Sequence, residues 1–332
     1  MKTIIKTNEL RKEYGNIVAL DNLNIEIQEG EIFALLGPNG AGKTTTIKIL
    51  ATLLEPTRGE AFINDIDVIK NPDMARKQFG IVFQEPSSDE LLTGYENLKL
   101  HCMLYNVPKD TQEKKINEAL ELVELTDRKN EMVKKYSGGM RRRLEIARAL
   151  LHEPKVLFLD EPTLGLDPNA RKKIWGYITQ LKKNLNMTIL LTTHYMEEAE
   201  KLADRVCIIN RGNIVELGSV EEIKQRHGHE IVKIVITRKL NKNDLNELKK
   251  MDFITDINYD EKNSLLIIAS KNIAKNISTI IQLLKNNHIE NLEIKRTSLE
   301  DVFIKLTGKT FEEEESNTWF DKVIQQETLK DT

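Results

Sequence analysis

The sequence predicts an α/β domain followed by a smaller α+β unit. An apolar run at 31–36 indicates a short buried strand, which leads through the glycine-rich stretch 37–45 into a predicted helix at 44–54. A second apolar run at 155–159 ends in two carboxylates, as is typical of a buried parallel strand. Beyond residue 229 the periodicity changes to the order βαββαβ. These three observations define the predicted fold class.

Composition narrows the class of protein. The chain has 332 residues, which suits two domains, and its formal net charge of −3 argues against a protein that coats nucleic acid. The two cysteines, Cys102 and Cys207, have no paired spacing and indicate a reducing compartment. The first residues have no apolar signal region, and no apolar run approaches the ~20 residues that span a bilayer. We therefore expect a cytoplasmic protein that serves a membrane only through a partner.

The stretch 37–45, GPNGAGKTT, fits the P-loop pattern G-x-x-x-x-G-K-[ST]. Its glycines let main-chain N–H groups and the positive end of the following helix form an anion site for phosphates. Lys43 adds a charge that reaches the β- and γ-phosphates, and the Thr44 hydroxyl can hold Mg²⁺. A chance match in a glycine-rich turn is the alternative to this nucleoside triphosphate site. The predicted phosphate-binding residues are Gly37, Pro38, Asn39, Gly40, Ala41, Gly42, Lys43, Thr44 and Thr45.

Two positions near the P-loop are ambiguous when each is taken alone. Tyr14 lies among the predicted strands of residues 4–36, where its ring can stack on adenine, although an ordinary strand aromatic is the alternative. A strand at 60–63 and a helix at 72–78 precede the apolar strand at 81–83. Gln84 ends that strand, so it can reach Mg²⁺ or water, although a surface loop glutamine is the alternative.

Residues 93–151 predict a helical insertion in the α/β domain. Helical periodicity covers 95–105 and 112–125, and no strand pattern interrupts it. Ser137, Gly138 and Gly139 then precede a predicted helix at 141–151, so they form a second candidate anion-binding helix start. In isolation this stretch is also compatible with a simple N-cap and a flexible turn.

Polar side chains follow the next two apolar strands. Asp160 is placed to hold Mg²⁺ and Glu161 to orient and deprotonate a water molecule. Because successive side chains of a strand point to opposite sides, we expect these two carboxylates to have different partners. Asp167 lies in the turn that leads into a helix at 169–181. His194 ends the strand at 187–193, where it is either structural or able to meet a γ-phosphate.

Taken together, these motifs resemble the ATP-binding subunits of ABC transporters, in order and in spacing, over residues 3–226. The resemblance implies that the P-loop is the Walker A segment, that residues 137–139 are the ABC signature, and that Asp167 is the D-loop aspartate. The signature is YSGGM where the common form is LSGGQ. The serine and glycines that face phosphate are kept, so Met140 changes little.

The resemblance also implies a role for each of the remaining positions. Tyr14 corresponds to the aromatic residue that stacks on adenine. Gln84 corresponds to the Q-loop glutamine, which touches Mg²⁺ or water and senses the membrane subunit. Asp160 corresponds to the Walker B aspartate that binds Mg²⁺, Glu161 to the catalytic glutamate, and His194 to the switch histidine.

The second unit, 230–307, predicts a small ferredoxin-like α+β domain. A final helix is expected from Ser298, which is a predicted N-cap, with Asp301 in the first turn. This ending resembles the C-terminal domain of the daunorubicin-resistance-like ABC exporter ATPases. The remaining residues, 308–332, are rich in glutamate and polar residues and predict a mobile tail. The predicted strands are 230–237, 253–258, 264–269 and 289–295, and the predicted helices are 241–251 and 272–286.

By this resemblance the chain is an ATPase that binds ATP and Mg²⁺ and powers export through a separate transmembrane permease, at the cytoplasmic face of the membrane. In the family, the signature of one copy closes over the ATP held by the P-loop of another, which implies a homodimer. Nucleic acid is not an expected partner. A soluble ABC ATPase of the translation or DNA-repair type, and a nucleotide-binding regulatory module, are the alternative functions.

Overall fold

The computed structural model of this chain describes residues 2–227, 230–261, 264–270, 273–295 and 297–308. These residues form two compact units, of which the first ends at Ser219 and the second begins at Val220. The sequence analysis places the end of the first domain at residue 226, whereas the short helix before that point belongs to the second unit. The expected tail at 308–332 lies outside the described residues, apart from Gly308.

The first unit contains a six-stranded sheet that carries the ends of the predicted motifs. Its strand order is β11-β10-β4-β9-β8-β7, and neighbouring strands are parallel except β11, which pairs antiparallel with β10. Strands β4, β8 and β9 are buried along their whole length, which explains why they are continuous apolar runs. In chain order, the strands of the first unit are β1 (Thr3–Tyr14), β2 (Ile17–Leu23), β3 (Glu26–Gln28), β4 (Ile32–Leu36), β5 (Arg58–Ile63), β6 (Ile66–Asp67), β7 (Phe79–Val82), β8 (Val156–Asp160), β9 (Thr188–Thr193), β10 (Arg205–Asn210) and β11 (Asn213–Gly218).

The other sheet of the first unit is antiparallel, with the order β2-β1-β5-β6 and with β3 also paired to β1. The helix that follows the P-loop, α1 (Lys43–Leu50), contacts β2 and β5 of this sheet and β8 and β9 of the parallel sheet. Ile47 and Leu50 on this helix join Leu10 and Phe158 in one core cluster. Because α1 is packed between two sheets, the loop that precedes it has a fixed position.

Helices cover the parallel sheet and form the insertion that the sequence predicts. In the described part of the chain, no helix combines the length and the apolar composition that crossing a membrane requires. The periodicity of the sequence does not predict strands β10 and β11 or the helix that follows β9. The remaining helices of the first unit are α2 (Pro72–Arg76), α3 (Gly94–Leu104), α4 (Lys109–Leu122), α5 (Gly138–Leu150), α6 (Pro168–Leu185) and α7 (Met196–Leu202).

Helix α5 lies very close to strand β7. A Cβ atom added at Gly80 would lie 2.9 Å from the carbonyl carbon of Ala149, and closer still to the oxygen of that carbonyl. Only glycine allows this approach, so the helix that begins at the signature rests directly on the strand that ends at the Q-loop. The insertion begins with a capping box, in which Thr93 and Glu96 satisfy each other's main-chain N–H groups.

The second unit has the predicted βαββαβ order and its own core. Its four strands are antiparallel in the order β13-β14-β12-β15, and Val232, Ile234 and Leu266 lie in the core. Ser298 and Asp301 form a capping box at the start of the last helix, at the positions that the sequence indicates. The elements of this unit are α8 (Val220–His227), β12 (Glu230–Ile236), α9 (Lys242–Lys249), β13 (Ile254–Asp260), β14 (Leu265–Ser270), α10 (Ile273–Leu283), β15 (Ile289–Lys295) and α11 (Leu299–Thr307).

Two glycine substitutions, one at the contact between α5 and β7 and one on α6, should have opposite effects on stability. Gly80→Ala must push the main chain of Ala149 away from β7 and should destabilise the first unit by ~1–3 kcal/mol. Gly176→Ala is the control, because Gly176 lies inside α6 with nothing within 4 Å of an added Cβ, and it should stabilise by ~0.5–1 kcal/mol. Calorimetric melting temperatures that shift in the same direction for both variants would contradict this account.

Candidate functional site

The P-loop adopts the strand–loop–helix arrangement that phosphate binding requires. Strand β4 ends at Leu36, and α1 begins at Lys43 with Gly42 as its N-cap. Gly42 has a φ of 109°, and an added Cβ would lie 2.7 Å from the carbonyl oxygen of Ala19. Glycine is required there both for the left-handed conformation and for the close approach of β2. The positive end of α1 therefore points into the loop.

The Lys43 side chain is buried inside this loop. Its Nζ donates to the carbonyl oxygens of Gly37, at 2.7 Å, and of Pro38, at 3.1 Å, and forms an ion pair of 3.1 Å with Oε1 of Glu161. An ammonium held at this position gives the loop a positive charge that suits phosphate oxygens. The cavity beside it is lined by Ala19, Asn39, Gly40, Gly42, Lys43, Thr44, Thr45, Gln84 and Glu161.

Asp160 ends strand β8, and hydroxyl groups surround its carboxylate. Oδ1 accepts hydrogen bonds from Oγ1 of Thr192, at 2.6 Å, and of Thr44, at 3.3 Å. Burial raises the pKa of Asp160, although these hydroxyl donors oppose the effect. A carboxylate and a hydroxyl of the P-loop thus lie one hydrogen bond apart at the cavity.

Glu161 is the first residue after β8 and has a left-handed backbone, with a φ of 48°. Its main-chain N–H donates to the carbonyl oxygen of Thr192, at 3.2 Å, and to the hydroxyl of the same residue, at 3.0 Å. A positive φ is uncommon for glutamate and costs ~1–3 kcal/mol, which these bonds help to offset. This turn sends the Glu161 side chain to different partners from those of Asp160.

The Glu161 carboxylate contacts two side chains, one through each of its oxygens. Oε1 faces Lys43, and Oε2 lies 2.8 Å from Nδ1 of His194. Burial alone would raise the pKa of Glu161, but the His194 hydrogen bond and the Lys43 charge bring that pKa below its ordinary value. The carboxylate is therefore held in its basic form near neutral pH.

The strand order explains why the loop, Glu161 and His194 meet. Strand β9 lies between β4 and β8 and is parallel to both, with Leu36 opposite Thr193 and Asp160 opposite Thr192. The carboxyl ends of the three strands therefore share one edge of the sheet, which is where ligands bind in sheets of this type.

The signature and D-loop positions lie at two exposed helix starts, outside the cavity lining. Ser137 is the N-cap of α5 and accepts from the main-chain N–H of Met140, at 3.3 Å. Asp167 is the N-cap of α6 and accepts from the N–H groups of Asn169 and Ala170, both at 3.0 Å. A Cβ added at Gly139 would lie 3.2 Å from Cβ of Ala170, so the two helix starts are adjacent. Gly138 is also exposed.

Gln84 and Tyr14 occupy different positions relative to the cavity. Gln84 lies just beyond β7 and contributes to the cavity lining. Tyr14 ends β1, is 48% exposed and does not line the cavity, and Nζ of Lys12 lies 5.2 Å from its ring centroid. Its exposed ring face is therefore accessible to a stacking partner.

Two further residues contact this site and were not identified from the sequence. Thr192 is buried in β9 and its hydroxyl links Asp160 to the main chain of Glu161. Arg142 is buried in α5 and donates to the carbonyl oxygen of Glu161, at 3.3 Å. Arg142 stands in a run of three arginines, which suggests a solvated face. Its spacing from the buried Ile146 and Ala149 is the signal that indicates an inward position.

The oxygen groups of the site fit a magnesium ion. The Thr44 hydroxyl, the Asp160 carboxylate and the Gln84 amide are hard oxygen donors, which Mg²⁺ prefers together with phosphate oxygens. Within the described residues there is no cluster of three or more His, Cys, Asp or Glu side chains that could hold a metal on its own. The donor set therefore matches an ion that a bound phosphate helps to ligate.

Comparison with known proteins identifies the family. The ABC transporter family matches residues 20–164, and the C-terminal domain of ATP-binding protein DrrA1-3-like matches residues 218–307. The daunorubicin resistance ATP-binding protein DrrA3 of Streptomyces coeruleorubidus is 35% identical over 308 residues, which are 92% of this chain and 96% of that protein. The chain belongs to the ABC transporter ATP-binding proteins.

Other relatives support the same assignment. The bacitracin transport ATP-binding protein BcrA of Bacillus licheniformis is 36% identical over 314 residues, 93% of this chain and 98% of that protein. The solved structure of cbiO1 from Clostridium perfringens, part of the ABC transporter complex cbiONQ, has a TM-score of 0.63 and 30% identity, and it covers 67% of this chain and 91% of its own.

A second solved structure bears on ATP hydrolysis. The dimeric post-hydrolysis structure of the ATP-binding cassette MJ0796, bound to ADP and Pi, has a TM-score of 0.59 and 30% identity, over 65% of this chain and 98% of its own. This chain is thus an ATP-hydrolysing subunit of an ABC transporter, as its motifs indicate. These relatives support a transporter subunit. They do not support the alternative functions, a soluble translation or repair ATPase or a nucleotide-binding regulatory module.

The position of Lys43 predicts loss of ATP binding when its charge is removed. Lys43→Ala should abolish measurable ATP binding and turnover, because the loop loses the charge that faces the phosphates. Lys48→Ala on the same helix is the control, since Lys48 is exposed and should retain parent affinity. Equilibrium dialysis with labelled ATP would measure both, and parent affinity in Lys43→Ala would contradict the assignment.

Proposed function

We propose that this ATPase subunit powers antibiotic export through a separate transmembrane permease, as a dimer of two copies at the cytoplasmic face of the membrane. The observation that carries the proposal is the divided site. The P-loop cavity holds Lys43, Thr44 and Glu161, whereas Ser137 and Asp167 stand at exposed helix starts outside that cavity.

The divided site favours a second copy as the partner. Residues 137–139 and Asp167 do not line the P-loop cavity of their own chain, and Ser137 and Asp167 are exposed to a second molecule. A second copy supplies the same exposed helix starts, so two copies related by a two-fold axis complete two sites at once. Hydrogen bonds to charged phosphate contribute ~1.5–3 kcal/mol each, so ATP itself provides the attraction that closes the dimer.

In the proposed mechanism, phosphate oxygens replace Glu161 as partners of the Lys43 ammonium. Oε1 of Glu161 is then free to accept a proton from the attacking water, while His194 keeps the carboxylate oriented through Oε2. The water oxygen bonds to the γ-phosphorus as the bond to the bridging oxygen breaks, which gives ADP and phosphate. Thr44, Gln84 and Asp160 would hold Mg²⁺, which neutralises phosphate charge.

Tyr14 and the signature complete the proposed nucleotide contacts. The exposed ring of Tyr14 stacks on adenine, which stabilises the bound base without taking part in the reaction. Ser137, Gly138 and Gly139 of the second copy face the γ-phosphate with the N-terminus of α5. When hydrolysis removes that phosphate, these contacts are lost and the dimer reopens.

The segment from Leu91 to the end of α3, which includes the start of the insertion, offers a surface for the permease. The side chains of Leu91, Leu100, Met103 and Leu104 are 72%, 45%, 61% and 70% exposed, and three of the four lie on α3. Scattered apolar residues on a surface are ordinary, but a group of this size on one short segment suits a protein partner. The segment begins seven positions after Gln84 in the chain, so contact with the permease can be passed along the backbone to the nucleotide site.

The relatives support antibiotics as the exported class. The names of two of them state daunorubicin resistance and bacitracin transport. We extend that class to this chain because the identity covers both of its units. Nucleic acid is not among the proposed partners, since the net charge is −3.

Glu161→Gln and Asp160→Asn separate the proposed base from the proposed metal ligand. Glu161→Gln keeps shape and removes the base, so hydrolysis should fall by ~10²–10⁴-fold while ATP still binds, and a closed dimer should accumulate. Asp160→Asn should weaken Mg·ATP binding and stay monomeric. Size-exclusion chromatography with Mg·ATP distinguishes them, and identical behaviour of the two variants would refute the separate roles.

Export can be measured in inside-out membrane vesicles that contain the chain and its permease. Parent vesicles should accumulate daunorubicin when ATP is added, as followed by its fluorescence, and Glu161→Gln vesicles should show no ATP-dependent accumulation. Lys48→Ala vesicles are the matched control and should resemble the parent. Uptake that is independent of ATP, or equal in Glu161→Gln, would count against export of this compound, and radiolabelled bacitracin would then be tested in the same vesicles.

A further inference from the structure

Helix α5, which begins at the signature, holds the Q-loop through one buried arginine. Arg142 lies in the second turn of α5 and is 5% exposed. One guanidinium nitrogen donates to the carbonyl oxygen of Phe83. The second terminal nitrogen, Nη2, donates to the carbonyl oxygens of Gln84, at 3.0 Å, and of Glu161, at 3.3 Å. One side chain therefore touches the main chain of both the Q-loop glutamine and the residue that follows Walker B.

The positions of Gln84 and Glu161 relative to α5 are constrained because the Arg142 charge between them is buried. In the described chain, every hydrogen bond of Arg142 goes to a main-chain carbonyl, and carboxylates act on it only at longer range, from Glu145, Asp160 and Glu198. A buried cation is costly unless its donors are satisfied. Movement of Gln84 or Glu161 away from α5 would leave a buried donor unpaired, so the three elements are held in one geometry.

A second contact ties the same loop to the next turn of α5. Glu145 is fully buried and accepts hydrogen bonds from the hydroxyls of Ser87, at 3.1 Å, and Ser88, and it pairs with Arg148 at 2.6 Å. The segment after β7 is therefore attached to α5 at two points. One attachment uses main-chain carbonyls and the other uses side-chain hydroxyls.

We propose that Arg142 is a positioning residue for ATP hydrolysis, which acts through the main chain of Gln84 and Glu161 and links them to the signature helix. The inference rests on the roles proposed above for Gln84 and Glu161. When the signature engages a nucleotide, α5 moves with it, and Arg142 transmits that movement to the carboxylate that receives the proton. Arg142 acts through these main-chain carbonyls, to which each of its hydrogen bonds in the described chain goes.

The chain offers a matched control in the adjacent residue. Arg143 also lies on α5 and donates to main-chain carbonyls, those of Val123 at 2.9 Å and Glu124 at 3.4 Å, and to the Tyr177 hydroxyl at 3.3 Å. It has no hydrogen bond to the Q-loop or to Glu161 in the described chain. Arg143→Met therefore removes a comparable set of bonds without releasing the site.

The first test compares steady-state kinetics of Arg142→Met, Arg142→Lys and Arg143→Met. Arg142→Met should lower kcat by about ten- to a hundredfold, the range for misplaced catalytic groups, with KM for ATP within about twofold of the parent. Arg142→Lys retains the charge and one donor group, so its kcat should lie between that of the parent and that of Arg142→Met. Arg143→Met should keep kcat within about twofold of the parent. A KM increase with unchanged kcat, or equal kcat losses in Arg142→Met and Arg143→Met, would overturn the inference.

A double-mutant cycle gives a readout that a merely structural role would not produce. If Arg142 acts through Glu161, adding Arg142→Met to Glu161→Gln should change single-turnover hydrolysis by less than about twofold, because the base is already absent. Full additivity of the two losses would overturn the inference. Glu161→Gln alone tests the proposed base separately, since parent-rate hydrolysis there would refute that role whatever Arg142 does. If Arg142→Met does not fold, Arg142→Lys replaces it in the same double-mutant cycle with Glu161→Gln.

Discussion

The buried ion pair between Lys43 and Glu161 is the interaction on which the site depends. Both side chains are almost wholly buried, and they lie 118 positions apart in the sequence, at residues 43 and 161. Two charges removed from water are stable only when all their remaining donors and acceptors are satisfied. Lys43 meets this condition with the carbonyls of Gly37 and Pro38, and Glu161 meets it with His194.

This requirement fixes the backbone around the pair. The carbonyls of Gly37 and Pro38 both face Lys43, and the loop curls at its glycines, with Gly40 at a φ of 81° and Gly42 at 109°. Glu161 reaches Lys43 only because the chain leaves β8 with a left-handed φ of 48°. Strain of this kind persists where surrounding contacts determine the conformation, and here Thr192 supplies two of them.

The helical insertion is bound to the same edge of the sheet through a polar contact and a close backbone approach. Gly80 allows α5 to rest on β7, and Arg142 then reaches the ends of β7 and β8 together. Apolar packing alone would allow α5 to slide over the strand with little loss, because dispersion is not directional. A buried guanidinium with three carbonyl partners has a narrow range of satisfied positions, so it holds α5, the segment after β7 and the main chain of Glu161 in one arrangement.

The sequence by itself determined the features that depend on residues close together in the chain. The strand–loop–helix of the P-loop, the helix start at Ser137, and the N-cap Ser298 with Asp301 in the first turn each need residues within a few positions of one another. The βαββαβ order of the second unit was predicted for the same reason, since each element has its own period.

Only the tertiary structure decided which distant residues meet. Alternation along a strand correctly predicted that Asp160 and Glu161 have different partners, but the cause is the left-handed turn at Glu161, which no local pattern shows. The order of β4, β9 and β8 brings His194 and Lys43 to one carboxylate, and strand order is set by how buried faces pack. The contacts of Arg142 have the same origin. Helical spacing places Arg142 on the buried face of α5, but only the tertiary structure brings that face to the carbonyls of Gln84 and Glu161.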